Sequence, residues 1–236
     1  MQTNYKIADL KISADFRYPI MTARAEKYLC RFDGTADIEI PYSEKVLTDF
    51  QTQNPHLSPD ECEIILTTKV FYDRLLSDFG GFMLHSSAVV VDNKAYLFSA
   101  PSGTGKSTHT EQWLKLFGGR AEILNDDKPA IRFFSSKPYA CGTPWSGKSD
   151  LNANRIVPLQ GICVLERSEE NFIEPLDSGK ALFFLMNQTL RPNNADSMDK
   201  LLDMLDSIFA QVRIWRMGCN ISTTAAEVAY KAMSAE

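Results

Sequence analysis

The feature that constrains this chain most is the segment from Ala100 to Ser107, with the letters APSGTGKS. Seven of its eight positions fit the phosphate-binding pattern G-x-x-x-x-G-K-[ST], and Ala100 departs from it at the first glycine. In such a loop, backbone N–H groups surround a polyphosphate, the lysine reaches the outer oxygens and the hydroxyl binds Mg²⁺. The segment therefore predicts these nucleotide contacts: Ser102, Gly103, Thr104, Gly105, Lys106, Ser107 and Thr108.

The flanks of this loop predict a strand before it and a helix after it. Residues 95–99 and 88–91 are aromatic or β-branched runs on either side of the turn residues 92–94, which indicates a β-hairpin. Downstream, apolar residues recur at helical spacing until Gly118 and Gly119 end the pattern: Trp113, Leu116 and Phe117. A phosphate group at this helix N-terminus would meet unpaired amides and a favourable dipole.

The hairpin register makes His85 a candidate functional residue. If Val91 pairs with Ala95 across a three-residue turn, His85 lies opposite Pro101, at the entrance of the loop. A histidine there can donate a hydrogen bond to phosphate or tune a neighbouring carboxylate. It can equally begin a strand without any chemical role, and the register does not choose between these alternatives.

Two adjacent carboxylates follow the next predicted strand, residues 121–124. A crossover from the helix sets this strand parallel to the one before the loop, so Asp126 and Asp127 are expected at the same sheet edge. Successive strand residues face opposite sides, which predicts a division of roles. One carboxylate would hold Mg²⁺, directly or through water, and the other would accept a proton from an attacking hydroxyl. The simpler alternative is a solvated acidic turn.

Together, these residues resemble the catalytic domain of the bacterial HPr kinase/phosphorylase family, whose fold is shared with ATP-dependent phosphoenolpyruvate carboxykinase. Residues 80–107, 125–131 and 142–148 look closer still to stand-alone HPr-kinase-like proteins. The resemblance covers roughly residues 68–233 and implies an α/β P-loop kinase with a mixed sheet flanked by helices. The chain lacks the separate N-terminal domain and the second signature of the HPr kinases, so HPr is not the expected substrate.

The resemblance also implies roles for individual residues. Lys106 and Ser107 would bind phosphate and Mg²⁺, Asp126 would be the general base, Asp127 would support the metal and His85 would modulate Asp126. Because the HPr kinases are hexamers, the resemblance also makes a homo-oligomer possible.

A second glycine loop spans residues 142–148. Lys148 in this loop is suited to contact the transferred phosphoryl group or an acidic acceptor, and Gly147 would allow close approach. By spacing alone, an ordered surface loop anchored by a buried Trp145 is the better interpretation; the resemblance favours function for Gly147 and Lys148 only.

Two arginines carry weaker expectations. The resemblance makes Arg191 a candidate phosphate contact, whereas its spacing indicates only a favourable charge at the end of a helix predicted over 178–190. Arg167 follows Glu166 at the end of a strand predicted over 157–166. An arginine here could neutralise phosphate charge, but an exposed ion pair with Glu166 is the favoured interpretation.

We expect a single catalytic domain over residues 1–236, with residues 1–65 as a β-rich N-terminal extension and 66–236 as the nucleotide-binding core. The remaining predicted elements are strands within 5–12, 36–40, 130–134 and 212–217, helices near 23–28, 43–51 and 69–78, a helix capped by Ser197, and a C-terminal helix with a capping box of Thr224 and Glu227.

Composition and charge limit the classes of partner and the location expected for this chain. A net charge of −5 and a pI near 5.3 argue against nucleic acid or an anionic membrane as the main partner. The N-terminus has no apolar signal core and no apolar stretch approaches membrane-spanning length, so a cytoplasmic location is expected. The five scattered cysteines are expected to be reduced, and no zinc spacing is present.

These observations favour an ATP- and Mg²⁺-dependent kinase that phosphorylates a hydroxyl of a peptide, protein or small molecule. One alternative is phosphorylase or carboxykinase chemistry, since a base that deprotonates a hydroxyl can also activate phosphate. The other is a nucleotide-binding accessory protein without turnover, in which the methyl group of Ala100 crowds the backbone and weakens transfer.

Overall fold

The computed structural model describes residues 2–235, which form a mixed α/β fold with two sheets. The smaller sheet has three strands in the order β1-β2-β3: β1 (Thr3–Ile7), β2 (Leu10–Ala14) and β3 (Ile38–Ile40). The sequence predicted extended structure over residues 5–12. The structure divides this stretch into two antiparallel strands, because Ala8 and Asp9 form a turn with φ values of +51° and +63°.

Helix α1 (Pro19–Ala25) lies between β2 and β3, and two further helices, α2 (Glu44–Gln53) and α3 (Pro59–Asp78), connect this sheet to the rest of the chain. The sequence predicted the third helix only from Lys69. It begins ten residues earlier, because Ser58 and Glu61 form a capping box that satisfies its first amides. The predicted boundary between residues 65 and 66 therefore lies inside α3.

The larger sheet contains nine strands, which are β4 (Gly81–Met83), β5 (Ser86–Val91), β6 (Lys94–Ser99), β7 (Ala121–Asn125), β8 (Ala130–Phe134), β9 (Lys137–Cys141), β10 (Ile156–Arg167), β11 (Phe172–Pro175) and β12 (Ile214–Cys219). The principal order is β4-β8-β9-β10-β6-β5-β7. The long strand β10 joins its two parts: it pairs antiparallel with β9 near its start and parallel with β6 and β12 further on. The predicted mixed sheet is confirmed.

The hairpin of β5 and β6 has a different register from the predicted one. Val91 pairs with Lys94 rather than with Ala95, so every predicted cross-strand partner shifts by one residue. The turn contains two residues, Asp92 and Asn93, and both have positive φ. Two-residue turns of this kind match the natural twist of paired strands, and asparagine and aspartate tolerate the left-handed conformation.

Strand β7 has the predicted direction but not the immediate neighbour that a simple crossover suggests. It pairs antiparallel with β5, which itself pairs antiparallel with β6. β7 is therefore parallel to β6 with β5 between them. The ends of β6 and β7 still open at the same sheet edge, where the sequence placed both the loop and the carboxylates.

Four helices complete the fold: α4 (Lys106–Phe117), α5 (Ser178–Met186), α6 (Ala195–Phe209) and α7 (Thr223–Met233). Three predictions about their ends are wrong. Helix α5 stops at Met186 instead of Leu190, Asn194 instead of Ser197 caps α6, and Ser222 instead of Thr224 caps α7. Each true cap lies two or three residues before the predicted one, among several polar residues that have similar capping ability.

The small sheet packs into the same hydrophobic core as the large one. Ile7, Ile12 and Ile38 from the small sheet belong to one buried cluster with Phe71 of α3 and Trp145. A second cluster lies on the other face of the large sheet under α4 and α7. The N-terminal residues are thus attached through a shared core, although the single-domain assignment remains a prediction.

Within residues 2–235, no helix combines the length and apolar character needed to cross a membrane.

Candidate active site

The predicted phosphate loop connects β6 to α4, as the sequence indicated. Gly103 and Gly105 have φ values of +79° and +119°, where a side chain would strain the backbone. A Cβ atom built at either position would meet no heavy atom within 4 Å, so the loop borders open space. Gly105 caps α4, and Lys106, Ser107 and Thr108 follow in its first turn.

Ala100 fits its position although the pattern has glycine there. It is fully buried and is absent from the residues with positive φ, so its backbone does not require glycine. Its carbonyl oxygen accepts a hydrogen bond of 3.0 Å from Lys106 Nζ. Burial lowers the pKa of Lys106, and the nearby negative charge of Asp127 opposes this shift. The negative charge of Asp127 therefore acts on the Lys106 ammonium group across the loop entrance.

The two aspartates leave the strand in a turn organised by Asn125. The Asn125 side-chain oxygen accepts hydrogen bonds from the backbone N–H groups of Asp127 and Lys128, at 2.8 and 2.6 Å. An asparagine turn of this type stops the strand alternation that the sequence argument used. Sequence reasoning assigned no role to Asn125, although asparagine directly after a strand is a usual turn signal.

Asp127 lies among cationic and hydrogen-bonding groups. His85 Nε2 is 3.3 Å from its Oδ1, and Lys128 Nζ is 2.6 Å from its Oδ2. Burial acts to raise the pKa of Asp127, but the contacts with His85 and Lys128 outweigh it and lower the pKa to about 2. Asp127 is therefore an anion at neutral pH, as a metal ligand must be.

The structure places His85 beside Asp127, not beside Asp126 as the resemblance implied. Its Nδ1 lies 2.9 Å from Gln188 Oε1, and its backbone oxygen accepts a hydrogen bond from Ser99 Oγ at the end of β6. His85 is thus at the loop entrance in spite of the shifted register. The direct carboxylate contact of the histidine is with Asp127, and modulation of Asp126 by His85 stays a prediction.

Asp126 has the opposite environment, because it is only 5% exposed. Its Oδ1 accepts a hydrogen bond of 2.5 Å from the Gly147 N–H, while Oδ2 is buried without a completed hydrogen bond among the described residues. Burial raises the pKa of Asp126, and the Gly147 amide and the Ser149 side chain oppose that rise. Asp126 is therefore the more basic of the two carboxylates.

The second glycine loop, defined here as residues 142–150, covers Asp126. A Cβ atom on Gly147 would lie 3.3 Å from Asp126 Oδ2, a tight contact that the absence of a side chain avoids. Trp145 is fully buried, stacks on Phe71 with ring centroids 4.6 Å apart and donates from Nε1 to Thr67. Its predicted role as a core anchor is confirmed.

Lys148 and Arg191 have exposed side chains. The charge of Lys148 acts on Glu61 at the start of α3. Arg191 donates a hydrogen bond to Asn187 Oδ1 and lies beyond the end of α5 instead of in its last turn. Asn187 borders a hollow of about 160 Å³ next to His85. The other residues that line this hollow are Thr68, Met83, Lys128, Gln188, Thr189 and Leu190.

Arg167 contacts the phosphate loop, which sequence reasoning missed. Its Nη2 and Nε donate to the carbonyl oxygens of Gly103 and Thr104, at 2.6 and 3.2 Å. The predicted Glu166–Arg167 pair is wrong, since Glu166 pairs with Arg216 of β12 at 2.7 Å. A parallel pairing of β10 with β6 would have predicted this contact, because the ends of parallel neighbours share one sheet edge.

The described residues contain no group of three or more histidine, cysteine or acidic side chains arranged to hold a metal ion.

Comparisons with known proteins identify no family. No protein-family model matches the chain, and no curated protein matches it either. Among solved structures, the chain aligns with an HPr(Ser) kinase/phosphatase from Coxiella burnetii at 14% identity and a TM-score of 0.35. The alignment covers 65% of this chain and 99% of the other.

Proposed function

We propose that this chain is an ATP- and Mg²⁺-dependent kinase that transfers the γ-phosphoryl group to a hydroxyl of a peptide, protein or small-molecule acceptor. The observation that carries the proposal is the arrangement at one sheet edge. A phosphate loop with a buried lysine faces an ionised Asp127, and beside it Asp126 has a raised pKa and an unpartnered oxygen. A nucleotide-binding protein without chemistry has no need for the second carboxylate.

The loop suits a polyphosphate. A Cβ atom added to Gly103 or Gly105 would have no heavy atom within 4 Å. Phosphate oxygens therefore have room against the backbone at both positions. Ser102 to Thr108 would contact the nucleotide, with Lys106 on the β/γ oxygens. In this proposal the hydrogen bond from Lys106 Nζ to the Ala100 carbonyl oxygen is exchanged for a phosphate contact when ATP binds.

Ser107 and Asp127 would hold Mg²⁺ through their oxygens. Both groups are hard oxygen donors, and the low pKa of Asp127 keeps it ionised over the whole physiological range. Bound Mg²⁺ would neutralise charge on the β- and γ-phosphates. His85 and Lys128 orient the Asp127 carboxylate through their contacts with its two oxygens.

Asp126 acts as the general base in this mechanism. The acceptor oxygen forms a bond to the γ-phosphorus, the bond from that phosphorus to the β–γ bridging oxygen breaks, and the hydroxyl proton passes to Asp126 Oδ2. The Gly147 amide fixes the other oxygen, so only Oδ2 is available. Since Oδ2 is shielded from solvent, the second glycine loop has to move when the acceptor enters.

The acceptor would enter next to His85. The hollow of about 160 Å³ between His85, Lys128 and Gln188 is large enough for a small side chain, and its apolar part is formed by Met83 and Leu190. Gly147, Lys148 and Arg191 would contribute contacts to the acceptor or to the transferred phosphate.

Paired substitutions of the two aspartates test the proposal. Wild type, Asp126→Asn and Asp127→Asn would be incubated with γ-labelled ATP, Mg²⁺ and a panel of serine and threonine peptides, sugars and alcohols. We expect Asp126→Asn to lower transfer by about 10²- to 10⁴-fold, the usual contribution of a positioned base, without weakening nucleotide binding. Asp127→Asn should weaken binding of ATP in Mg²⁺ but not in EDTA.

Lys106→Ala should remove nucleotide binding measured by calorimetry, whereas Lys115→Ala on the exposed face of α4 should not. Asp199→Asn, an exposed carboxylate of α6, is the matched control for the aspartates. Near-normal transfer by Asp126→Asn would show that the base assignment is wrong. Normal ATP affinity in Lys106→Ala would remove the phosphate-loop assignment itself.

One observation favours a second candidate, a nucleotide-binding accessory protein. The shielded Oδ2 of Asp126 cannot accept a proton from an acceptor unless the second glycine loop opens. Tight ATP binding by the wild type, with no labelled product from any acceptor and no hydrolysis by water, would support this candidate over the kinase.

A further inference from the structure

Arg24 connects the N-terminal part of the chain to the second glycine loop. Its Nη1 and Nη2 donate to the carbonyl oxygens of Ser146 and Gly147, both at 2.7 Å, and its Nε contacts Asp150 Oδ1 at 2.8 Å. The Arg24 side chain is only 10% exposed. All three nitrogens of the guanidinium are therefore used on one segment more than 120 residues away in the sequence.

The contact suits arginine and no other cation. A planar guanidinium offers several donors in a fixed fork, whereas a lysine ammonium is a single compact charge. The loop holds one of its acceptors in place for the guanidinium group, because Ser146 Oγ donates a hydrogen bond to Asp150 Oδ1.

Gly147 transmits the contact to Asp126. Its carbonyl oxygen accepts from Arg24, and its N–H donates to Asp126 Oδ1 at 2.5 Å. Next in the chain, the Leu151 carbonyl accepts the Asp126 backbone N–H at 3.1 Å. Gly147 of the loop therefore holds the side chain of Asp126, Leu151 just after the loop holds its main chain, and Arg24 holds the loop.

Arg24 itself is fixed from the side of the core. Met21 and Ala25 of α1 are fully buried. The backbone N–H groups of Arg17 and Tyr18, just before α1, donate to the nearly buried Glu63 carboxylate of α3 at 2.7 and 3.1 Å.

A second link lies one turn further along the chain. Lys27 Nζ donates to the Asn152 carbonyl oxygen at 3.0 Å, and Asn154 Nδ2 donates to the Lys27 carbonyl oxygen at 3.2 Å. The N-terminal segment is thus joined to residues 146–154 at two places, Arg24 and Lys27.

We propose that Arg24 is a positioning residue of the active site, which holds Gly147 so that its amide orients the Asp126 carboxylate. This inference rests on the proposed kinase function and gives residues 1–65 a role in the site. Arg24 touches neither nucleotide nor acceptor in this scheme. Its loss should therefore lower the rate of transfer and leave nucleotide binding unchanged, because the phosphates are held by a different loop.

Two readouts test the inference in Arg24→Gln, Arg24→Lys and the control Arg31→Gln, an exposed arginine of the same N-terminal segment. Hydrogen exchange followed by mass spectrometry reports on residues 142–152 without any need for activity. We expect exchange in this segment to be roughly tenfold faster in Arg24→Gln, since three hydrogen bonds that close the loop are lost. Arg24→Lys should recover part of the protection, and Arg31→Gln should equal wild type.

Kinetics with Mg²⁺-ATP and the best acceptor, or water where hydrolysis is the measured reaction, is the second readout. We expect kcat of Arg24→Gln to fall by about 10- to 100-fold, as for a misplacement near 1 Å, with unchanged calorimetric affinity for ATP. A general loss of folding is separated by urea unfolding of each variant, because an unfolding defect would raise exchange throughout the chain.

The outcomes separate this inference from the proposed function. Wild-type protection of residues 142–152 in Arg24→Gln would overturn the inference, whatever the activity. Faster exchange with unchanged kcat would show that Arg24 holds the loop without serving the reaction, which also overturns it. A wild type that binds ATP but has no turnover would remove the kinase function, and with it the positioning role, even if the exchange result showed the attachment itself.

Discussion

The two glycine loops of the site are held in different ways. The phosphate loop, residues 100–107, takes its shape from its own glycines, from the start of α4 and from a lysine that bonds back to Ala100. The second glycine loop, residues 142–150, depends on side chains that are remote in sequence, namely Arg24, Thr67 and Asp126. The first is a local structure and the second is a product of tertiary packing.

The difference teaches where each loop should be vulnerable. A local loop can lose one outside contact and keep its backbone, because its conformation is set by residues next to one another. A loop anchored in the core shares its stability with the whole fold. Substitutions around the second loop should therefore change stability or positioning, and those around the first should change ligand affinity.

Trp145→Ala is the strongest test of this contrast. Trp145 is fully buried on Phe71, and removing its ring should cost about 3–5 kcal/mol in free energy of unfolding, the range for large aromatic residues in cores. Urea unfolding followed by circular dichroism measures it. Leu151→Ala, at a position 40% exposed beside the same loop, should cost less than about 1 kcal/mol. Similar losses for both variants would contradict a core anchor.

The adjacent aspartates sharpen the contrast through pH. The folded pKa of Asp127, about 2, is below its value in the unfolded chain, so the ionised carboxylate stabilises the fold above that value. This stabilisation, about 2 kcal/mol by linkage, should be lost as pH falls from about 4 to about 2. The free energies of unfolding of wild type and Asp127→Asn should therefore become equal as the pH falls through that interval.

Asp126 should behave with the opposite sign. Burial raises its pKa, so its charge destabilises the fold at neutral pH, and Asp126→Asn should be at least as stable there as wild type. Asp199→Asn serves both experiments as an exposed control. A difference between wild type and Asp127→Asn that stays constant from pH 6 to the acid limit would argue against the contacts of Asp127 with His85 and Lys128.

Arg167→Gln should have the smallest effect. It removes two hydrogen bonds to the carbonyl oxygens of Gly103 and Thr104, from an exposed arginine. We expect a loss of about 1 kcal/mol in ATP binding, or roughly fivefold in Kd, and no change in the urea midpoint. Calorimetry checks this against Arg213→Gln, an exposed arginine elsewhere. A clear loss of global stability would show that the phosphate loop is not locally determined.

The sequence predicted the elements next to the phosphate loop more accurately than the details that link them. The hairpin, the loop and α4 were found because their signals lie within a few neighbouring residues. The one-residue error in the β5–β6 register arose because Asp92, Asn93 and Lys94 are all acceptable turn residues, and only strand twist selects two of them. The short strands β4, β9 and β11 were missed because their stability comes from sheet partners.

Pairings between distant segments were predicted least well. His85 was expected to modulate Asp126, whereas the structure places it against Asp127. Glu166 was expected to pair with Arg167, whereas it pairs with Arg216. No role was predicted for Arg24, because no motif in the neighbouring sequence distinguishes it from other surface arginines. Its partners are mainly backbone oxygens of a loop that becomes adjacent only when the small sheet packs on α3.

By itself, the amino-acid sequence determined the phosphate loop, the helix that follows it and the presence of two acids at the same sheet edge. These features depend on backbone conformations and periodicities that a few consecutive residues fix. Only the tertiary structure decided which acid has a lowered pKa, which has a raised pKa and what holds the loop above Asp126. Burial and neighbouring charge set a carboxylate's pKa, and both are supplied by residues that meet only in the folded chain.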